Sequence, residues 1–134
     1  MRSVLTATGP VPVEVTWLRY VEPARWPGWS PQMRRVDCSD PVIRAGSTGR
    51  VHTIVGLALD FTVLSVDPVR RRWSWRVQAP LGIEMTLDHL VVAAPVDEFP
   101  DGGSCTALRV TGPAPLVLGY GPIAKSALRK LVDA

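Results

Sequence analysis

Arg72-Trp73-Ser74-Trp75-Arg76-Val77-Gln78, a turn at Ala79-Pro80-Leu81-Gly82, then Ile83-Glu84-Met85-Thr86-Leu87-Asp88-His89-Leu90-Val91-Val92: this stretch decides the fold. Large apolar and polar residues alternate on both sides of the turn. Successive side chains leave a strand on opposite faces, so a period of two marks strands with one wet face and one dry face. The dry set is Trp73, Trp75 and Val77, answered by Met85, Leu87 and Val91. His89 shares the parity of Met85 and Leu87, so one imidazole is predicted to point into an apolar interior. The rest of the chain reads as walls and a lid around this hairpin.

The chain has 134 residues, enough for one domain with a substantial core, and no linker divides it, so 1–134 reads as a single domain. A hydrophobic fraction of 46% against 20% charged residues excludes a disordered chain. No apolar run approaches the roughly 18 residues of a membrane span. Met1-Arg2-Ser3-Val4-Leu5 lacks the long apolar region of a signal peptide, so a cytoplasmic protein is expected. Cys38 and Cys105 are far apart, with no Cys or His nearby at metal-ligand spacing, and read as two unpaired thiols. The net charge of +3 is modest. Basic residues are otherwise scattered around two arginine runs, Arg34-Arg35 and Arg70-Arg71-Arg72. The latter is either a phosphate-binding patch or a solvated turn after Asp67-Pro68, and the turn is the simpler reading. No recognition helix, zinc spacing or stacking motif points to a nucleic-acid partner.

In order, Ser3–Thr8 is a short strand ended by Gly9-Pro10. Pro12 suits the first turn of a helix in which Val13, Trp17 and Tyr20 or Val21 recur at helical spacing, stopped by Pro23. Trp26-Pro27-Gly28-Trp29-Ser30-Pro31 is a compact aromatic corner with room for one short helix. Its tryptophans are either a hydrophobic plug or ligand contacts. Strands are predicted over Met33–Cys38, Arg50–Val55, Leu57–Val66, the two arms of the hairpin, and Ser104–Thr111. Leu116–Val132 reads as a terminal helix with Leu116, Tyr120, Ile123, Ala127 and Leu131 on one stripe, its first half weakened by Gly119, Gly121 and Pro122. Consecutive strands with short turns imply an antiparallel sheet, and helices segregated to the ends imply an α+β domain.

This order resembles the START-related, polyketide cyclase/dehydrase-like (SRPBCC) superfamily, with the birch-pollen-allergen-like helix-grip fold. The resemblance is carried by Trp17, the Trp26–Pro31 corner, Gly46-Ser47-Thr48-Gly49-Arg50-Val51, Phe61 to Pro68, Trp73 to Val77, Asp88 to Val92, Asp101-Gly102-Gly103 and Gly112-Pro113-Ala114-Pro115-Leu116. It implies a strongly curved antiparallel sheet of about seven strands wrapped around a long C-terminal helix, two short helices after the first strand, and an interior cavity for apolar ligands. The predicted terminal segment, ending at Ala134, is shorter than is usual in the family. An incomplete lid, or one completed by a homodimer partner, follows from that.

A sheet folded around a helix leaves space. At about 24 cal/mol per Å3, an empty void of roughly 300 Å3 would cost about 7 kcal/mol, comparable to a domain's whole stability. Either the chain's own aromatics fill it or a guest does. The ligand walls are expected to be Trp29, Phe61, Trp75, Met85, Leu87, Leu108 and Tyr120, with His89 as the orienting polar contact. Three readings of His89 stay open: a core histidine satisfied by backbone or by Glu84 or Arg109, a ligand contact, and a proton-transfer group. His52 falls on the polar parity of its strand and is expected at the surface. No metal set, phosphate-cradling glycine loop or nucleophile elbow is present, and no cofactor is implied. The leading expectation is binding of a small hydrophobic molecule such as a lipid, polyketide or aromatic metabolite. The alternatives are a polyketide aromatase/cyclase or dehydratase using His89 or Arg109, and an interaction domain with a vestigial cavity.

Overall fold

The computed structural model describes residues 1–133, so Ala134 at the end of the predicted lid lies outside it. Strand β1 (Arg2–Gly9) leads into helix α1 (Val13–Val21), a single 3-10 turn and the short α2 (Trp26–Trp29). Six strands follow: β2 (Met33–Cys38), β3 (Thr48–Thr53), β4 (Ala58–Asp67), β5 (Arg72–Gln78), β6 (Glu84–Ala93) and β7 (Ser104–Thr111). Helix α3 (Ala114–Leu131) completes the fold. All seven strands form one antiparallel sheet in the order β1-β7-β6-β5-β4-β3-β2. The chain has the curved sheet and long C-terminal helix of the helix-grip fold.

The alternation in the central hairpin holds throughout. Trp73, Trp75, Val77, Met85, Leu87, His89 and Val91 are all buried. Two bulges bend the sheet, between Met33 and Arg35 in β2 and between Val63 and Ser65 in β4. An extra residue in one strand of a pair sharpens local twist. In β4 it also keeps Val66 opposite Trp73 after Val63 has paired with Trp75, so both rows stay inward. Gly49 permits the curl. A Cβ there would stand 2.6 Å from the Phe61 ring and 2.1 Å from the Asp37 carbonyl oxygen.

The end of β3 and the course of α3 differ from expectation. Strand β3 ends at Thr53 rather than Val55, because the Thr53 backbone and hydroxyl both bond Leu57, closing a turn with Gly56 at φ +86°. Ile54 and Val55 are therefore exposed. Helix α3 is continuous through its first half despite Pro122. Proline removes the donor that would meet the Leu118 carbonyl, but both residues face solvent, where water can serve. The inward stripe of α3 is wider than expected: Val117, Ala124 and Leu128 join Ala127 and Leu131 in the core, Leu116 and Tyr120 pack against it, and Ile123 is exposed.

Asp67 Oδ1 accepts from the backbone N–H groups of Val69 and Arg70, closing a turn through Arg70 and Arg71 that delivers Arg72 to β5. His52 lies on the outer side, within hydrogen-bond distance of Asp37 and Arg35. Among the described residues no helix is long and apolar enough to cross a membrane.

Candidate functional site

Strand pairing sets the inner face of the sheet in three rows. Phe61, Val77 and Met85 form the first, Val63, Trp75, Leu87 and Val110 the second, and Val66, Trp73, His89 and Leu108 the third. Helices α1 and α2 close over the third row. Trp26 stacks on Trp73 at 5.8 Å between ring centroids and reaches Trp75 at 5.0 Å and Phe61 at 5.5 Å. Tyr20 stands edge-on to Trp29, Trp73 and His89. The aromatic corner is thus a plug. Beside it the buried hydroxyls of α1 and β7 are paired: the Tyr20 hydroxyl with Thr106 Oγ1, which donates to the Leu90 carbonyl, and Thr16 Oγ1 with Ser104 Oγ.

Toward Met85 the plug ends and a cavity of about 310 Å3 opens. Its floor is Val51 and Leu59 with Trp75, Val77, Met85 and Leu87 of the hairpin. Its roof is the first half of α3, through Leu116, Gly119, Tyr120 and Ile123. Gln32, Met33 and Thr53 join the sides. Leu57 and Ile123, 49% and 44% exposed, stand at the mouth. Gly119 is exposed, and no atom lies within 4 Å of where its Cβ would sit, so a side chain there would have open space at the cavity's edge. Among the described residues no Asp, Glu, Lys or Arg lines this cavity.

Of the residues singled out from sequence, Trp75, Met85, Leu87 and Tyr120 line the cavity. Trp29, His89 and Leu108 border a separate space of about 20 Å3 beneath the plug. Phe61 lines neither, packed between Trp26, Trp75 and the bare backbone of Gly49. Arg109 is on the outer face, where its Nε donates to Asp88 Oδ2 at 3.3 Å. Its neighbours Leu108 and Val110 take the inward positions, and alternation sends Arg109 outward. Gln32, Thr53, Leu57, Leu59 and Gly119 were not among the predicted site residues. The parity of Leu57 and Leu59 with Phe61 was a usable signal; for Gln32 and Gly119 the sequence carried none.

His89 lies flat against Trp73, with centroids 4.1 Å apart and planes 7° from parallel. Burial drives its pKa down to about 3, against a partial offset from hydrogen bonding to the Trp73 backbone, so the ring is neutral at physiological pH. Burial pushes the Tyr120 hydroxyl up to about 12, with the Gln32 side chain offsetting part of the effect. The groups at the cavity are therefore uncharged. Among the described residues no cluster of three His, Cys, Asp or Glu side chains could hold a metal.

No family model matches the chain, and no curated protein does. Solved structures do. The crystal structure of Ara h 8.0201 matches with a TM-score of 0.72 over 98% of this chain and 94% of that one, at 14% identity. A structural-genomics protein from Nitrosospira multiformis matches with a TM-score of 0.75, the same coverage of both chains and 14% identity. At that identity the likeness is one of fold: the birch-pollen-allergen-like helix grip.

Proposed function

We propose that this helix-grip domain binds a small apolar molecule between its sheet and helix α3. The observation that carries the reading is the 310 Å3 cavity walled by Val51, Leu59, Val77, Met85 and Leu87, in a chain with enough aromatic residues to have filled it. An apolar guest takes these walls out of contact with water, which favours binding by about 25 cal/mol per Å2 of apolar surface covered. The volume sits at the small end of ligand pockets, which run from about 300 to 1,000 Å3. A lipid fragment, polyketide or aromatic metabolite suits these walls. Ile54 and Val55, exposed in the turn between the lining residues Thr53 and Leu57, are where a second copy of the chain would cover the mouth. A cyclase or dehydratase acting here would have to work without Arg109, which faces outward, and with a neutral His89 outside the main cavity.

Gly119→Leu separates binding from folding. The substitution should raise helix stability by about 0.8 kcal/mol while filling the roof. Titration with an apolar fluorescent dye should show saturable binding to the native chain and at least a ~10-fold weaker affinity in the variant, worth about 1.4 kcal/mol. No dye binding to the native chain, or equal affinity in both, would overturn the reading.

A further inference from the structure

The four tryptophans of the core differ in one respect. Trp26 Nε1 donates to the Tyr20 carbonyl at 2.7 Å, and Trp29 Nε1 donates to the Arg19 carbonyl at 3.0 Å. The Nε1 atoms of Trp73 and Trp75 are buried and have no hydrogen-bond partner among the described residues. Ser30 Oγ and His89 Nδ1 share that condition. Buried polar atoms are nearly always paired, so four orphans in one place call for an explanation. All four residues line the 20 Å3 space beneath the plug, which has room for one water-sized group.

We propose that this space is the polar end of the ligand site: a seat for one neutral oxygen, a carbonyl or hydroxyl, carried by the apolar molecule in the larger cavity. The proposal rests on the cavity reading above. Met33, Trp75 and Tyr120 line both spaces, so the two meet at these side chains. Met33 is unbranched and flexible, which makes it the movable part of the partition. An indole N–H only donates, so Trp73 and Trp75 require an acceptor. Ser30 can donate or accept, while His89, neutral and with its N–H engaged by the Trp73 backbone, presents Nδ1 as an acceptor. Among the described residues no charged side chain lines either space. A carboxylate drawn in would lose its hydration without a counter-ion, and an ammonium would meet N–H donors. The favoured class is therefore neutral and amphipathic: long-chain alcohols, aldehydes and ketones, not fatty acids or amines.

Binding of decan-1-ol, decan-2-one, decane and decanoate, measured by displacement of an apolar dye at mildly alkaline pH, tests this. The alcohol and ketone should bind at least ~10-fold tighter than decane and decanoate. In Ser30→Ala, which removes only a hydroxyl, that preference should shrink to within ~3-fold while decane binds as before. The indole N–H resonances of Trp73 and Trp75 should move on adding decan-2-one and stay in place on adding decane, a readout that needs no variant. Equal binding of all four probes, preference for decanoate, or indole signals unmoved by the ketone overturns the polar seat and leaves the apolar cavity standing. Failure of all four probes to bind overturns both.

Discussion

One sheet face carries two different interiors. At the Trp73–His89–Leu108 row, helices α1 and α2 supply Tyr20, Trp26 and Trp29, and rings fill the space. At Val77 and Met85, beyond the contact of Trp26 with Phe61, the first half of α3 lies opposite and supplies Leu116, Gly119 and Tyr120. The floors are equally apolar; the roofs differ. Whether this fold is solid or hollow at a given row depends on side-chain volume on the helix, not on the strand pattern beneath it. Trp75 and Tyr120 stand on the border and line both spaces.

The largest expected difference between the ends is in truncation. Trp26→Ala removes the ring that holds all three rows together and should cost about 3–5 kcal/mol in urea unfolding. A loss under about 1 kcal/mol would mean that the plug is not packed as described. The next concerns pH. His89 is neutral in the folded chain, with its pKa near 3, and protonates near 6.5 when unfolded. Below 6.5 the unfolded state therefore binds the extra proton, and stability falls as pH falls, by roughly 3 kcal/mol between pH 6.5 and 4. The depressed carboxyls of Asp37, Asp40 and Asp60 contribute at lower pH, as their ordinary value near 3.8 is approached. His89→Phe should flatten the slope above pH 4; an unchanged slope would assign it elsewhere.

A smaller effect tests how the plug is tied to the lid. Arg19 Nη1 donates to the carbonyls of Leu131 and Asp133, at 2.6 and 3.0 Å, at and just beyond the end of α3. Positive charge at a helix C-terminus is stabilising, so Arg19→Ala should cost about 1–2 kcal/mol and loosen amide-exchange protection in that turn. The smallest effect belongs to the mouth of the cavity. Leu57→Ala, at a half-exposed site, should change stability by no more than about 0.5 kcal/mol while weakening dye binding. The same truncation at buried Leu128 should cost about 3 kcal/mol.

Period-two alternation was legible because strand geometry is local: once Trp73, Trp75 and Val77 share a face, Met85, Leu87 and His89 must meet them across a short turn. The antiparallel order and the outward position of His52 follow from the same rule. The helical path through Pro122 was less legible, since it depended on Leu118 and Pro122 both facing water. What parity could not say was which row a residue occupies. His89, Leu108 and Met85 carry equally good inward signals, yet His89 and Leu108 border the plug and Met85 borders the cavity. That choice was made by where α1, α2 and α3 cross the sheet, contacts between segments far apart in sequence. The sequence by itself determined the curved sheet, its dry face and the buried imidazole, through the alternation of side chains along each strand. Only the tertiary structure decided where the interior stays hollow, because a void is set by the volumes of two surfaces meeting and neither surface records the other.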